Sequence, residues 1–596
     1  MQQKSKTASS TLASSKSASK SASVVPSVDV LIVGGGPTGL TLACLLQQAG
    51  ISHKLVDAGE GPSLWSKAQI VHVRTLEQLQ LLDMAAPLAA AGKYWNGMRM
   101  FDPQLNPIAG IDFIDLPSRF PRMLSISQRE TELTMMAHYE KHGGHIHRKV
   151  KLQGFETDAE GITSELVNEA GSVERIRSRY VIGCDGAHST VRHTLNLPFE
   201  GFPYEERLVQ ADVRVDFPME VDDRYAVVFP AAGGLVGFLP LPGEKRYRLL
   251  SFGNYDVDQP LDLALFQKIA VERTHPDTKV SDPHWMVGFR IHCRQVPQYR
   301  VGNVFLCGDA AHIHSPAGGQ GMNMGIQDAF NLGWKLEQVL KGHAPARLLD
   351  TYHPERHPVA ATTLKATDTA TWAARNVMGL SQPVLIGIRN SLLHMASSLD
   401  FVGEQASRAA SMLETAYPQS PMMGEKRGSV WQVSVLENRN QELPSMRDWL
   451  DFRAGPPPGS RGPDLVLANE QGRLFDRLGL AHYTLLLFDG SAATREGYKA
   501  MLDIANTVNR RYRNRVQSVL IHPSVLPGEV QEASRKLCQT LHDPELAVHS
   551  AYGARAECLY LLRPDGYVAW RAQPVALKDL LGYLDQWQVP QPGVMG

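Results

Sequence analysis

An α/β protein is what the sequence predicts, on three observations. An apolar run near the N-terminus passes straight into a glycine-rich turn and a helix, two later strand-to-turn junctions share that design, and a C-terminal stretch alternates strand and helix. Residues 28–33 (Val-Asp-Val-Leu-Ile-Val) have the β-rich apolar character of a buried parallel strand. Gly34-Gly35-Gly36-Pro37-Thr38-Gly39 follows, then a helix over 40–49 closed by Gly50, then a second strand over 53–56 ending at Asp57. Residues 180–183 form a strand leading to Asp185-Gly186, and residues 304–307 form one leading to Gly308-Asp309-Ala310-Ala311-His312.

Between these junctions, 74–92, 129–142 and 350–415 read as helical, and another helix starts near Met324. Residues 146–166 read as strand and hairpin, and 205–295 as mostly strand. Pro456-Pro457-Pro458-Gly459 and Gly462-Pro463 mark a linker over 418–465. Beyond it, residues 483–488 and 516–521 are strands, and 558–562 pairs with 567–570 across the turn Arg563-Pro564-Asp565-Gly566.

The 596 residues are 43% hydrophobic and 20% charged with a formal net charge of −1, which supports packed cores and gives no reason to expect nucleic acid or a membrane surface as partner. No run of about 20 apolar residues predicts a transmembrane helix. The six cysteines have no CxxC spacing, so free thiols in a cytoplasmic protein are expected rather than a disulfide framework or zinc site. Residues 1–27, rich in Ser, Ala and Lys, lack the apolar surface to offset ordering entropy and are expected to be disordered.

Gly34-x-Gly36-x-x-Gly39, set between a strand and a helix, has the form of a dinucleotide fingerprint: a tight turn, close approach to a pyrophosphate, and a helix N-terminus aimed at it. Asp57 falls where an acid would bind ribose hydroxyls. Asp185-Gly186-Ala187-His188-Ser189-Thr190-Val191-Arg192 and Pro316-Ala317-Gly318-Gly319-Gln320-Gly321-Met322-Asn323 follow the other two strands, and their small residues would admit an anionic, planar ligand. His312 and His314 have HxH spacing but no evident third ligand, so no metal is expected.

In this order and at these separations the three motifs resemble those of the aromatic-ring hydroxylases, single-component flavin monooxygenases of the para-hydroxybenzoate hydroxylase type. The resemblance is close over 28–400. It extends more loosely over 460–596 to the phenol hydroxylase and polyketide hydroxylase branch. It implies an FAD-binding Rossmann-like domain (28–204 and 296–417, the latter including a helical region), an interleaved β-rich substrate domain (205–295), and a C-terminal thioredoxin-like α/β domain (466–596). Where a redox protein would carry CxxC, this one has Asp489-Gly490-Ser491-Ala492-Ala493. That domain is therefore expected to be structural.

The resemblance further implies that Gly34, Gly36 and Gly39 meet the FAD pyrophosphate and that Asp57 holds the adenosine ribose. Arg74, Gln128 and Asp309 would contact FAD, and Asp185 and Gly186 would serve both FAD and NAD(P)H. Gly319 and Gly321 belong to the close-approach loop, and the backbone of Met322 and Asn323 would face the flavin pyrimidine edge. Lys67 stands where the family often has Arg and lacks the planar fork. The implied cycle reduces FAD with NAD(P)H as transient co-substrate, adds O2 to give a C4a-hydroperoxide, and hydroxylates a phenolic or polyketide-type aromatic. Strands 205–295 would supply the substrate wall, with Tyr225, Tyr247, Arg290 and His292 as its polar candidates; no catalytic base is legible. Relatives often form homodimers. The alternatives are a Baeyer–Villiger oxygenase or epoxidase on the same scaffold, or a non-catalytic FAD-binding protein. A flavin halogenase would carry WxWxIP, which is absent.

Overall fold

The strand Ser27–Val33 occupies the middle of the first sheet because its residues 30–33 are apolar on both faces and buried on both. It pairs in parallel with His53–Asp57 on one side and Val173–Gly183 on the other, and Val304–Leu306 is parallel to the latter. In register, Val33 stands opposite Val56 and Gly183, and Gly183 opposite Leu306. Gly34, Asp57, Asp185 and Gly308 therefore leave the sheet along one carboxyl edge, where open α/β sheets bind ligands. This computed structural model describes residues 25–590 except 64–67, 114, 232–233, 254, 257–258, 317, 381, 398–399, 428–445 and 469–471, so Lys67, Ala317 and most of the N-terminal tract lie outside the described residues.

The helix Pro37–Gln48 crosses from the first strand to the second and packs against a central helix, Gly321–Leu340, in which every residue from Asn323 to Val339 is buried. The two helices approach closely through glycines. A Cβ on Gly325 would lie 2.3 Å from Thr38 Oγ1, and one on Gly333 would lie 2.7 Å from Leu45 Cδ1. The span 74–92 is not one helix but two, Val73–Gln80 and Ala85–Ala91, separated by a turn in which Asp83 takes φ 55.

A second sheet of eight strands runs in the order His312–Ile313, Lys279–Gln295, Glu200–Asp216, Arg246–Gly253, Gly234–Pro240, Tyr225–Ala231, Gly97–Phe101, Pro107–Asp112. Its last two strands come from about 120 residues earlier in the chain than their neighbour (Tyr225 pairs with Gly97), a non-local pairing without a local sequence signal. Side chains alternate between its faces. Val209, Val213, Phe229, Phe238 and Leu249 pack on the helix Leu263–Arg273, whereas Ala226 and Leu239 turn the other way onto Ile70, Trp95 and Met123 of the first unit.

The C-terminal sheet has the order Gly424–Arg427, Val568–Gln573, Ala556–Leu562, Tyr483–Gly490, Val516–His522, Gln539–His542. The last three are mutually parallel, Ala556–Leu562 runs antiparallel to Tyr483–Gly490, and Val568–Gln573 runs antiparallel to Ala556–Leu562 in turn. The stretch read as linker is tied into this sheet: Gly424–Arg427 pairs in parallel with Val568–Gln573, Gly459 N donates to Val568 O, and a helix forms over Met446–Ala454. No described helix is long and apolar enough to cross a membrane.

The turn of the C-terminal hairpin plugs into the first unit. Arg563 Nη1 donates to Glu355 Oε1 at 2.8 Å, Arg74 Nη2 donates to Asp565 O at 2.5 Å, and Trp334 Nε1 donates to Asp565 Oδ2 at 3.2 Å. Glu355, on the bridging helix Tyr352–Asn376, also accepts from Asn331, Lys335 and Ser420. Burial acts to raise the Glu355 carboxyl, but Arg563 and Lys335 outweigh it and carry it down to about 2. Burial, with a smaller repulsion from Arg563, draws Lys335 down to about 8 despite Glu355. Glu355→Gln, which leaves two buried cations short of an anion, should lower stability in urea by about 3–5 kcal/mol at neutral pH. The Glu355 contribution is whole above its ordinary value near 4.5 and disappears as pH falls toward 2, so the urea midpoint of the variant should vary less steeply with pH over that window.

Candidate active site at the carboxyl edge

Two helix N-termini converge at the carboxyl edge. The helix Pro37–Gln48 starts from Gly36 with Pro at its first position, and the central helix starts from Gln320; neither has an acidic residue in its first turn or a side-chain cap. Their first-turn N–H groups have no helical acceptor and carry the positive end of the helix dipole. The turn after Val304–Leu306 sits between them, since a Cβ on Gly308 would lie 2.7 Å from Thr38 Oγ1 and 3.3 Å from Gly325 Cα. Gly34 takes φ +109, and a Cβ there would strike Cys184 O at 2.2 Å, so the loop needs glycine to lie against the second motif. A Cβ on Gly39 would fall 1.9 Å from Gly34 O, whereas one on Gly36 meets nothing within 4 Å.

Around this cradle, Asp185 Oδ2 accepts from Thr190 N at 2.7 Å and Val191 N at 3.2 Å, while its buried Oδ1 has no hydrogen-bond partner. Burial raises its carboxyl above the ordinary range. Gly186 takes φ 77 in the turn that follows. Asp57 accepts from Gly35 N at 2.5 Å and Gly59 N at 2.7 Å. Arg148 stands 3.2 Å from Asp57, directly across the parallel pairing of their strands. Gln128 opens the helix Gln128–Lys141, accepting from Ala68 N and donating to Glu132. Asp309 is exposed in the 3-10 turn Gly308–Ala310.

The loop into the central helix is held from below. Asn323, fully buried, accepts from His72 N at 2.8 Å and donates to Ile70 O at 2.8 Å and Gly319 O at 3.0 Å. His72 Nε2 meets Gly318 O at 3.1 Å. Burial pushes both His72 and His314 down to about 4, so each is neutral near pH 7. His314 Nδ1 bonds Ser315 O, and its buried Nε2, without a partner, lies 3.8 Å from the Cβ position of Gly321. Ile70 bounds both this loop and the apolar face of the second sheet: it is 2.7 Å from the Cβ position of Gly319 and packs with Ala226, Trp95 and Leu239. The cradle and the sheet thus meet across one loop.

Comparison with known proteins bears directly on this arrangement. A family model described as FAD binding domain matches residues 27–367, and one described as Aromatic-ring hydroxylase, C-terminal matches 455–589. Pentachlorophenol 4-monooxygenase of Sphingobium chlorophenolicum is 32% identical over 560 residues, 91% of this chain and 93% of that protein. The 6-methylpretetramide 4-monooxygenase of Streptomyces rimosus is 31% identical over 91% of this chain and 90% of its own. Among solved structures, the anhydrotetracycline hydroxylase OxyS from Streptomyces rimosus superposes with a TM-score of 0.68 at 28% identity, covering 94% of this chain and 99% of that one. The chain belongs to the FAD-dependent aromatic-ring hydroxylases.

The residues present fit the flavin cofactor of this hydroxylase family. An open approach at Gly36, two uncapped helix N-termini and an orphaned carboxylate oxygen on Asp185 match a pyrophosphate, which needs donors, and a hydroxylated chain, which needs an acceptor.

Five of the expected contact residues have surroundings other than the cradle. Arg74 is buried against the C-terminal unit: its two terminal guanidinium nitrogens bond Glu77 and Asp565 O, and the group lies 4.8 Å over the Tyr567 ring, while its Nε has no hydrogen-bond partner. Tyr247 packs in the core beside Phe217, on the sheet face turned from the cradle. Tyr225 shares that face; its hydroxyl donates to Asp112 and its ring carries Arg99 at 4.0 Å. Arg290, exposed, and His292 alternate with Ile291 and Cys293, and only the latter two lie on the face shared with Phe289 and Trp285. Strand alternation decides all four substrate-wall assignments, and a polar residue type does not reveal which face is buried.

Sequence reasoning missed Arg148 and His72, and also Asp328, which accepts from Gly308 N, His312 Nε2 and Arg356 Nε beneath the turn. The signal available for Asp328 was a carboxylate inside an otherwise buried helix. Gly36→Ala should leave apoprotein stability nearly unchanged yet weaken FAD binding at least about tenfold, or ~1.4 kcal/mol. Gly39→Ala should destabilise the fold itself through its clash with Gly34 O. Flavin fluorescence titration beside thermal melts of the apoproteins separates the two.

Proposed function

We propose that this hydroxylase uses NAD(P)H and O2 to place one oxygen atom on an electron-rich, phenolic or multi-ring aromatic substrate. The observation that carries the reading is the junction at Ile70, where a loop with uncapped N–H groups meets an apolar sheet face. Relatives named for pentachlorophenol and for tetracycline precursors point to the same chemical class.

Gly34, Gly36 and Gly39 line the pyrophosphate, Asp57 the adenosine ribose, and Asp185, Gly186, Asp309 and Gln128 the rest of the extended cofactor. Gly319, Gly321 and the backbone N–H groups of Met322 and Asn323 face the ring edge, where the dipole of the central helix favours negative charge. FAD, when bound, supplies the activation of O2 and the oxygen transfer. The chain positions the substrate ring, and its apolar wall of Ala226, Leu239, Trp95 and Met123 keeps water from it. Neutral His72 and His314 add no positive charge to compete for a phenolate. The same reading places the enzyme in the cytoplasm, in keeping with its six free cysteines.

The test is oxidation of NADPH and NADH by the FAD-loaded protein, with and without phenols and polycyclic aromatics. Stimulation by one class with an oxygenated product is expected. A yellow protein whose NAD(P)H oxidation no aromatic accelerates would overturn the hydroxylase reading.

A further inference from the structure

The bridging helix Tyr352–Asn376 turns Asp368, Thr371, Trp372 and Arg375 along one face, at i, i+3, i+4 and i+7. Opposite them stand Tyr204, Phe252 and Ile291, from three different strands of the second sheet. These residues enclose a cavity of about 250 Å³, just below the ~300–1,000 Å³ of small-molecule sites, which suits one or two fused rings. The cavity adjoins the flavin loop, because Thr371 Oγ1 is 2.7 Å from Ser315 Oγ, the residue before Pro316.

Its exposed lining is largely apolar by area; the polar groups are the Tyr204–Asp368 pair, Thr369, Thr371, Asn376 and the guanidinium of Arg375. The Tyr204 hydroxyl donates to Asp368 Oδ1. Burial and this bond push the Tyr204 phenol upward, so it remains a donor. One donor leaves the Asp368 carboxylate with capacity to accept more, since a carboxylate offers about four lone-pair sites. The Trp372 indole, 60% exposed, provides a ring face at the cavity mouth.

We propose that this cavity receives a second ring of the substrate and that Asp368, oriented by Tyr204, determines specificity by accepting a hydrogen bond from a hydroxyl on that ring and repelling a carboxylate there. The inference rests on the aromatic hydroxylase reading above. A missing hydroxyl should cost about tenfold in affinity, as for one lost hydrogen bond to a charged acceptor.

The probes are 2,7-dihydroxynaphthalene, 7-methoxy-2-naphthol and 7-hydroxy-2-naphthoate. Their binding to the FAD-loaded full chain is measured by calorimetry, and NADPH consumption is followed in parallel. The wild type should prefer the diol about tenfold over the methyl ether and bind the carboxylate weakest. Asp368→Asn should weaken the diol and tighten the carboxylate. Asp368→Ala should bind diol and ether alike, and Tyr204→Phe should narrow the preference without abolishing binding. Diol, ether and carboxylate affinities unchanged in all three variants would overturn the proposal, as would failure of the wild type to bind any probe. Asp368-dependent binding without NADPH consumption would support the cavity assignment and count against the hydroxylase reading. Probe-stimulated consumption with equal affinities in every variant would do the reverse.

Discussion

Two adjacent residues of the bridging helix, Glu355 and Arg356, hold the rest of the structure in place. Arg356 bonds Asp328, which in turn accepts from Gly308 N and His312 and so fixes the turn beneath the central helix. Glu355 takes Arg563 from the C-terminal hairpin and Lys335 from the central helix. Their three charged partners are essentially inaccessible to water, so each charge depends on the others being placed. One turn of helix thereby sets the carboxyl-edge loop and the docked domain at once.

The same contacts tie the C-terminal domain to the rest of the enzyme. Its contribution is the Arg563–Asp565 turn, which reaches Glu355, Trp334 and the Arg74 side chain, while Arg461 bonds Glu77 on the same helix as Arg74. Buried ion pairs of this kind add little net stability but penalise misplacement strongly, so the domain acts as a gauge for the position of the central helix whose N-terminus faces the cofactor site.

The second sheet divides its work by face. The face toward the helix Leu263–Arg273 is a packed aromatic and aliphatic core. The other carries the apolar wall near Ile70 and one buried pair, Arg248 with Asp212, from which Arg248 also reaches Ala68 O and ties the sheet to the first unit. Trp285 donates to the same Asp212. Charge on this face is thus paired beside the apolar wall, Arg248 being the cross-strand neighbour of Leu239, which suits chemistry that requires exclusion of water.

Local pattern alone determined the three strand-to-turn junctions, the glycine positions of the first loop, the C-terminal strands at 483–488 and 516–521 and the Asp-Gly hairpin, because each rests on neighbours a few residues apart: apolar runs, positive-φ glycines, helix starts. Tertiary structure alone decided which face a side chain joins and which distant segment it meets. Tyr247 and Ile291 lie on strands of one sheet yet serve opposite faces, Arg74 turned from cofactor to domain contact, and Gly97–Phe101 found its partner at Tyr225. The physical reason is common to all of them: burial and pairing between segments far apart in sequence depend on how sheets stack, and a strand's own alternation states that two faces exist without stating which one is covered.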